Sequence, residues 1–542
     1  MAARWDLEVD VVCVGSGLGS LTAALVAHDR GQQVLVLEKA PRLGGLCAYG
    51  GGEVFCPNGP HMAEIGVRDS DEAARQYFDF LAAGYNDPAL TARLLASYKP
   101  AIAWTEKEAG VPWEAVAGLD DYYYPDVPGS NTGRYLAVRL FEGAQLGEWQ
   151  SKTWAISPHF PPGLTHKEMY AWGGLANVTK WDYELLGQRV ASDRRSFGPG
   201  MMGWFVKAAM VDRGIPARVD TPVRQLVVEE GRVAGVRAEG LAVRARKGVV
   251  LGIGGYDHNP RLATMYEETH EWHSASQPYL HGDAIVMGAE IGAEIASVPP
   301  TNLAMFYGYH IPGEEHDGVP LYRSSWESGC PHAIWVNRAG RRFCDESFYK
   351  DYNPRVREWN GRTQRQDNWD VFLILDGQYR ERYPLGSFMP GMEIPEELAA
   401  KADTPRALAE KLGIDADGLE ATLERFNRDA ARGEDPEFGA GHFPWTRRLA
   451  GDPSYPNPNL GTVEKPPFYG VKLVPVGVGI NSHGLRTDSD ARVLHVRGRP
   501  IPGLYAVGMS AAILDLGGGY QSGTSNMRAI TWGYLAGLHV GG

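Results

Sequence analysis

Cysteine is scarce in this 542-residue chain. The five present (Cys13, Cys47, Cys56, Cys330 and Cys344) are scattered, with no CxxC pair and no metal-ligand spacing. That pattern excludes a disulfide scaffold and a zinc or dithiol motif, and reads as reduced thiols with no metal site. Positive charge is also short: Lys+Arg 53 against Asp+Glu 66 leaves a net charge of −13. No basic footprint for nucleic acid or an anionic membrane surface is expected. No apolar run reaches membrane-spanning length, and the opening MAARWDLEVD has no apolar signal core, so a cytoplasmic location is expected. Internal repeats and low-complexity tracts are absent too. The length leaves room for two or three domains with a sizeable core.

What the chain does have is glycine, 67 residues of it, and the first cluster organises the rest. Val9 to Val14 is an apolar run that breaks into Gly15-Ser16-Gly17-Leu18-Gly19-Ser20, and Leu21 to Ala27 then reads as a helix. Strand, glycine turn and helix is the order a dinucleotide-binding βαβ unit requires. Gly15 permits the tight turn, and Gly17 lets backbone approach a pyrophosphate at the helix N-terminus. Ser20 replaces the third glycine and is small enough for close helix packing. A second strand, Gln33 to Leu37, ends in Glu38, at the spacing of the acid that binds a ribose hydroxyl.

Directly after Glu38 comes a second glycine-rich loop, Lys39 to Gly52, which suits FAD better than NAD. Residues Asp69 to Ala109 read as helical. Residues 145–200 are aromatic-rich with little periodicity and read as an interface or lid rather than as direct substrate contact. The nucleotide pattern returns with a helix at Met201 to Asp212 and a hairpin spanning Val223 to Ala238. A buried strand, Lys247 to Leu251, then runs into Gly252, Gly254 and Gly255, and the domain is expected to close near residue 293. Residues 294–479 read as a second domain of mixed strands and helices. It includes a strand–turn–strand at Ala333 to Phe343 and a charged helical part from Thr404 to Arg432. The chain then rejoins the nucleotide fold over residues 480–542: Pro502 to Ser510, the glycines Gly517 to Gly519, and a final helix from Met527 to Val540. This predicts an α/β fold, a discontinuous Rossmann-like FAD-binding domain (1–293 and 480–542) with an inserted α+β catalytic domain (294–479). The residues assigned to a non-covalent FAD are Gly15, Gly17, Leu18, Gly19, Glu38, Lys39, Gly44, Gly45, Leu46, Ala48, Gly50, Gly51, Gly52, Val223, Gly254, Gly255, Asp283, Gly508, Ser525 and Asn526. Ser522 reads as a helix N-cap, His281 and Asp283 as ties at a loop or helix start, and Arg341 and Arg342 as a solvated turn.

In this order, VDVVCVGSG, LVLEKAPRLGG, AYGGGEVFCPN, the Tyr122–Arg134 segment, HGDA from His281, VNRAGRRFCDESFY from Val336, and GLYAVGMSA followed by GGGYQSG resemble the flavoproteins that include fumarate reductases. They are most similar to 3-ketosteroid Δ1-dehydrogenases. The resemblance implies FAD at the interface of the two domains and chemistry by three tyrosines and a backbone amide. By position these are Tyr520 after the closing glycines, Tyr349 after Asp345-Glu346-Ser347, Tyr123 counted back from Thr132, and the amide of Gly523 or Thr524. Tyr520 and that amide would polarise the substrate ketone. Tyr349, helped by Tyr123, would take the α-proton, and the β-hydride would go to flavin N5. A Tyr-x-Ser arrangement also resembles the Δ4-(5α)-dehydrogenases. The expected reaction is therefore 1,2-desaturation of a 3-ketosteroid. The alternatives are a smaller cyclic ketone such as cyclohexanone, Δ4-(5α) chemistry, or a fumarate-reductase-type ene-reductase. The expected partners are a small-molecule ketone and an electron acceptor (quinone, dye or oxygen), with homo-oligomerisation left open.

Overall fold

The computed structural model describes residues 4–303 and 305–542; the first three residues of the N-terminal segment lie outside the described residues. Two sheets carry the molecule. The first has eight strands and is built on Leu7–Val14, whose second half is fully buried. On one side it pairs in parallel with Leu241–Leu251, which in turn pairs in parallel with Pro500–Ala506. On the other side it pairs in parallel with Val34–Leu37. A sheet buried on both faces needs near-continuous apolar strands, and Val11 to Val14, Val34 to Leu37 and Val249 to Leu251 supply them. The hairpin Val223–Glu229 and Arg232–Ala238 hangs from the edge of Leu241–Leu251.

Helix Leu18–Asp29 leaves the first strand and packs along the C-terminal helix Thr524–Gly541. Small residues set their spacing. A side chain at Gly533 would enter the Gly19 carbonyl, and one at Gly537 would meet Val26 Cβ at 2.6 Å. Ser20 fills the close-packing role expected of it, since a Cβ built on Gly252 would lie 2.8 Å from its own.

The second sheet has seven strands in the order Val319–Ser324, Met305–His316, Phe468–Gly477, Val371–Leu375 and Ala333–Val336. Ala400–Ala402 and His273–Ser274 also pair with Phe468–Gly477. The pairing of His273–Ser274 puts the chain's first crossing into this sheet about 20 residues before the boundary expected at 293. Two helices, Asp71–Ala82 and Pro88–Lys107, occupy the helical region read at Asp69 to Ala109. In the Ala333 to Phe343 segment only the first strand forms. Asn337 Oδ1 accepts the Ala339 and Arg341 amides at 3.0 and 3.2 Å, closing a turn after which the chain does not return as a strand. Arg341 is exposed as expected, but Arg342 is not a solvated residue: it is buried between Glu346 (2.8 Å) and Asp435 (3.0 Å).

Residues 145–200 are more regular than their composition indicates. Helices His166–Ala171 and Tyr183–Ala191 are stapled by two Arg189–Glu168 hydrogen bonds of 2.7 Å, and Thr165 and Glu168 form a capping box. Leu164, Met169, Trp181, Leu186 and Phe197 form a small core of their own.

Candidate active site

One elongated cavity of about 630 Å³ runs between the nucleotide sheet, the second sheet and the 145–200 segment. Its two ends differ in kind. The first end is walled by backbone: Gly15, Gly17, Leu18, Gly19, Gly45, Leu46, Gly50, Gly51, Gly254 and Gly508, with Glu38, Lys39, Val223 and Asp283 among the lining side chains. Gly15 has φ +89, and a side chain there would drive into the Gly252 carbonyl. Helix Leu18–Asp29 starts at Gly17 with no side-chain cap and no acid in its first turn, so its leading N–H groups face the cavity. Glu38 Oε2 accepts both the Ser16 amide (2.8 Å) and the Ser16 hydroxyl (2.6 Å), and Oε1 accepts the Ala40 amide at 2.8 Å. Burial nevertheless pushes its carboxyl above the usual range. Lys39 Nζ reaches Asp283 Oδ2 at 2.8 Å and His281 Nδ1 at 2.7 Å, the tie expected of that pair.

Four residues assigned to the cofactor lie behind this wall rather than on it. Gly44 donates its amide to Ser16 Oγ at 3.0 Å. Ala48 is fully buried against it. Gly52 backs onto the Phe197 backbone, where a Cβ would sit 2.6 Å away, and Gly255 backs onto the Asn481 side chain. Each preserves the shape of the loop without facing the cavity.

The second end is walled by side chains. Tyr520, Ser522, Gly523, Ser525 and Asn526 arrive from the closing segment, Tyr349 from the start of helix Tyr349–Val356, and Tyr122 from the turn at residues 120–125. The tyrosine at the cavity is Tyr122, not Tyr123. Tyr122 is buried, its ring 5.4 Å from Tyr349 and 4.5 Å from Trp445. Tyr123 points away, into Phe80, Phe348 and Phe443. Gln521 fixes this choice: its buried Oε1 accepts the Tyr122 amide at 3.1 Å and the Tyr77 hydroxyl, while its amide nitrogen donates to Tyr135 Oη. On the far side of the turn, buried Arg134 pairs with Asp121 (2.8 Å) and Asp69 (2.7 Å).

Of the two candidate amides, that of Thr524 is already committed to Gln521 O (3.1 Å), as is its hydroxyl (2.6 Å), and the residue lies off the cavity. Gly523 lines the cavity and caps helix Thr524–Gly541 with φ +76 and no side-chain cap. That also corrects Ser522, which is a cavity residue and not the N-cap. Two helices thus aim uncapped N-termini into one cavity, and such termini hold anions and developing negative charge. Burial pushes the hydroxyls of Tyr122 and Tyr349 well above the ordinary phenol value, and raises Tyr520 as well. Tyr349 Oη is buried beside the Tyr122 hydroxyl, too loosely placed to complete a hydrogen bond with it.

The 145–200 segment supplies His159, Phe160, Pro161, Met169, Tyr170, Leu175, Val178 and Trp181 to the cavity wall. It is therefore part of the site, a placement its weak periodicity did not reveal.

A long cavity with a glycine cradle and uncapped helix at one end and a second uncapped helix at the other fits an extended anionic dinucleotide bearing a polar ring system. The family model described as "FAD binding domain" matches residues 10–526. The chain belongs to this family. FAD is its cofactor, and the enzyme is an FAD-dependent oxidoreductase. It is 33% identical to a 3-oxosteroid 1-dehydrogenase of Mycobacterium tuberculosis, covering 98% of each chain. It is 32% identical to a 4-oxocyclohexanecarboxylate 2-dehydrogenase of Sinomonas cyclohexanicum, over 98% of this chain and 93% of that one. The crystal structure of a 3-ketosteroid Δ1-dehydrogenase from Sterolibacterium denitrificans with 1,4-androstadiene-3,17-dione superposes with a TM-score of 0.86 at 28% identity. It covers 98% of this chain and 99% of that one. Among the described residues no helix is long and apolar enough to cross a membrane, and no cluster of three or more metal-ligating side chains forms.

Proposed function

We propose that this flavoprotein desaturates a cyclic ketone next to its carbonyl, with 1,2-desaturation of a 3-ketosteroid as the reaction its site supports best. The observation that carries this reading is the buried Tyr349 hydroxyl, set beside the Tyr122 hydroxyl in the same cavity as Tyr520 and the Gly523 amide. Tyr520 Oη and Gly523 N–H bind the ketone oxygen and stabilise the enolate that develops there. Tyr349, seated against Tyr122, receives the α-proton. FAD, when bound, supplies the hydride acceptor for the β-hydrogen. Phe306, Trp326, Met389, Trp445 and Leu449 extend the wall as an apolar surface that excludes water and suits a fused-ring skeleton.

Fumarate-type chemistry is disfavoured because a dicarboxylate needs cations at the reacting centre. The lining cations Lys39 and Arg323 are paired with Asp283 and Glu314, and half-buried His159 is pulled down to about 4 by desolvation, so it is neutral at pH 7. A smaller ring ketone is the second reading. It is favoured by the aromatic side chains that Phe160, Tyr170 and Trp181 bring to the wall, and by the carboxylated cyclohexanone named for one relative. The electron acceptor, a quinone, dye or oxygen, belongs to the proposal, as does the cytoplasmic location. The test is product analysis: the protein is incubated with a saturated 3-ketosteroid and an artificial acceptor, and the new double bond is located by NMR. A C1=C2 bond is expected; a C4=C5 bond or unchanged steroid contradicts the proposal.

A further inference from the structure

Four carboxylates line the cavity, and three are already committed. Glu38 is held by Ser16 and Ala40, Asp283 by Lys39, and Glu346 by Arg342 at 2.8 Å. Glu53 is the exception. Its carboxylate accepts no hydrogen bond among the described residues, and its nearest charge partner is His166 Nε2, 3.6 Å away. That nitrogen already donates to the Gly51 carbonyl at 2.6 Å, and His166 Nδ1 is buried without a partner. The backbone of Glu53 is pinned at the reacting end: its carbonyl accepts Asn526 Nδ2 at 2.8 Å and lies 3.3 Å from a Cβ built on Gly523. Glu53 shares that end with Tyr122, Tyr170 and Tyr520, and its charge raises the pKa of all three hydroxyls, though less than burial does.

Resting on the ketone-dehydrogenase reading above, we propose that Glu53 is the terminal acceptor of the substrate's α-proton, reached through Tyr349 and Tyr122. A buried phenol is neutral and can take a proton only as it releases its own. The Cα–H bond breaks and its electron pair becomes the enolate. The proton goes to Tyr349 Oη while the Tyr349 proton passes to Tyr122 Oη. The Tyr122 proton passes in turn, directly or through one water, to the Glu53 carboxylate, which becomes the carboxylic acid. No oxidant enters this step, so it runs with the flavin already reduced.

That property gives the test. The holoenzyme is reduced anaerobically, mixed with a saturated 3-ketosteroid in D₂O, and exchange of the C2 hydrogens is followed by mass spectrometry. Flavin content and steroid dissociation constant are measured on the same samples. Wild-type enzyme is expected to exchange, Glu53→Gln to exchange about 100-fold more slowly with flavin content and affinity unchanged, and Glu53→Asp to fall between them. Exchange by Glu53→Gln at the wild-type rate overturns the proposal. So does a loss confined to steroid affinity, which makes Glu53 a recognition residue. A wild-type enzyme that is reduced by the ketone in its oxidised form but does not exchange overturns the relay alone. One that is not reduced by any ring ketone overturns the underlying reading as well.

Discussion

At the dinucleotide end of the cavity the working groups are peptide N–H groups, and at the reacting end they are hydroxyls and one glycine amide. The first end is assembled largely from near neighbours in sequence, Gly15 to Gly19 and Lys39 to Gly51, with the returning strand at Val223 and the loop at Gly254. The second gathers Glu53, Tyr122, Tyr349, Tyr520 and the 145–200 segment from across the chain. Backbone recognition tolerates little variation in side chain but demands particular dihedral angles. Side-chain chemistry tolerates many backbones but demands that distant segments be held in register, here by Gln521 and by the buried Arg134–Asp121–Asp69 cluster.

The strongest way to break this contrast is at Gly15. Gly15→Val meets both a positive φ and the Gly252 carbonyl, so the purified protein is expected to carry no FAD, read from its flavin-to-protein absorbance ratio. Full flavin content in that variant would mean the cradle is not backbone-determined. Tyr349→Phe should do the reverse, retaining FAD while flavin reduction by the ketone slows by about 10²–10⁴-fold in stopped flow. Loss of FAD with unchanged chemistry would invert the comparison.

A smaller effect concerns the segment that joins both ends. Folded His159 binds a proton only near pH 4, against 6.5 for the unfolded ring, because desolvation penalises its charge by more than the hydrogen bond from Nε2 to Ala275 O favours it. Its contribution is complete above pH 6.5 and is lost as pH falls towards 4, about 3 kcal/mol in all. Melting curves across that range should show His159→Gln less acid-sensitive than wild type. Equal slopes would place the acid sensitivity elsewhere. The smallest effect is expected for Tyr123→Phe, within about twofold of wild-type turnover, since its ring packs away from the cavity. A loss comparable to that of Tyr349→Phe would return Tyr123 to the site in place of Tyr122.

The same contrast explains what could be read from sequence. Strand, glycine turn, helix and Glu38 are local patterns, and the structure places Gly15, Gly17 and Glu38 on one cavity wall. Where local reading went astray, a tertiary contact decided. Within the run Tyr122-Tyr123-Tyr124, the hydrogen bond that the Tyr122 amide donates to Gln521 Oε1, 399 residues away, selects which ring enters the cavity. Ser522 lost its expected cap role because Gly523, in a left-handed conformation, starts the helix instead. Arg342 turned inward because Asp435, 93 residues on, waits for it. Nothing in the spacing of residues 145–200 marks His159 or Trp181 as cavity residues. Nor does any local pattern mark Glu53, one position past a glycine triplet, as the uncommitted acid. One signal was available: Gln521 follows Tyr520 in a turn otherwise built of glycine, serine and threonine, and a buried amide there needs several partners.

The most direct measurement is anaerobic stopped-flow absorbance of the oxidised holoenzyme mixed separately with a saturated 3-ketosteroid and with cyclohexanone. The account predicts that the steroid bleaches the flavin rapidly and completely while cyclohexanone does so slowly. Bleaching by cyclohexanone alone, or by neither ketone, would contradict it.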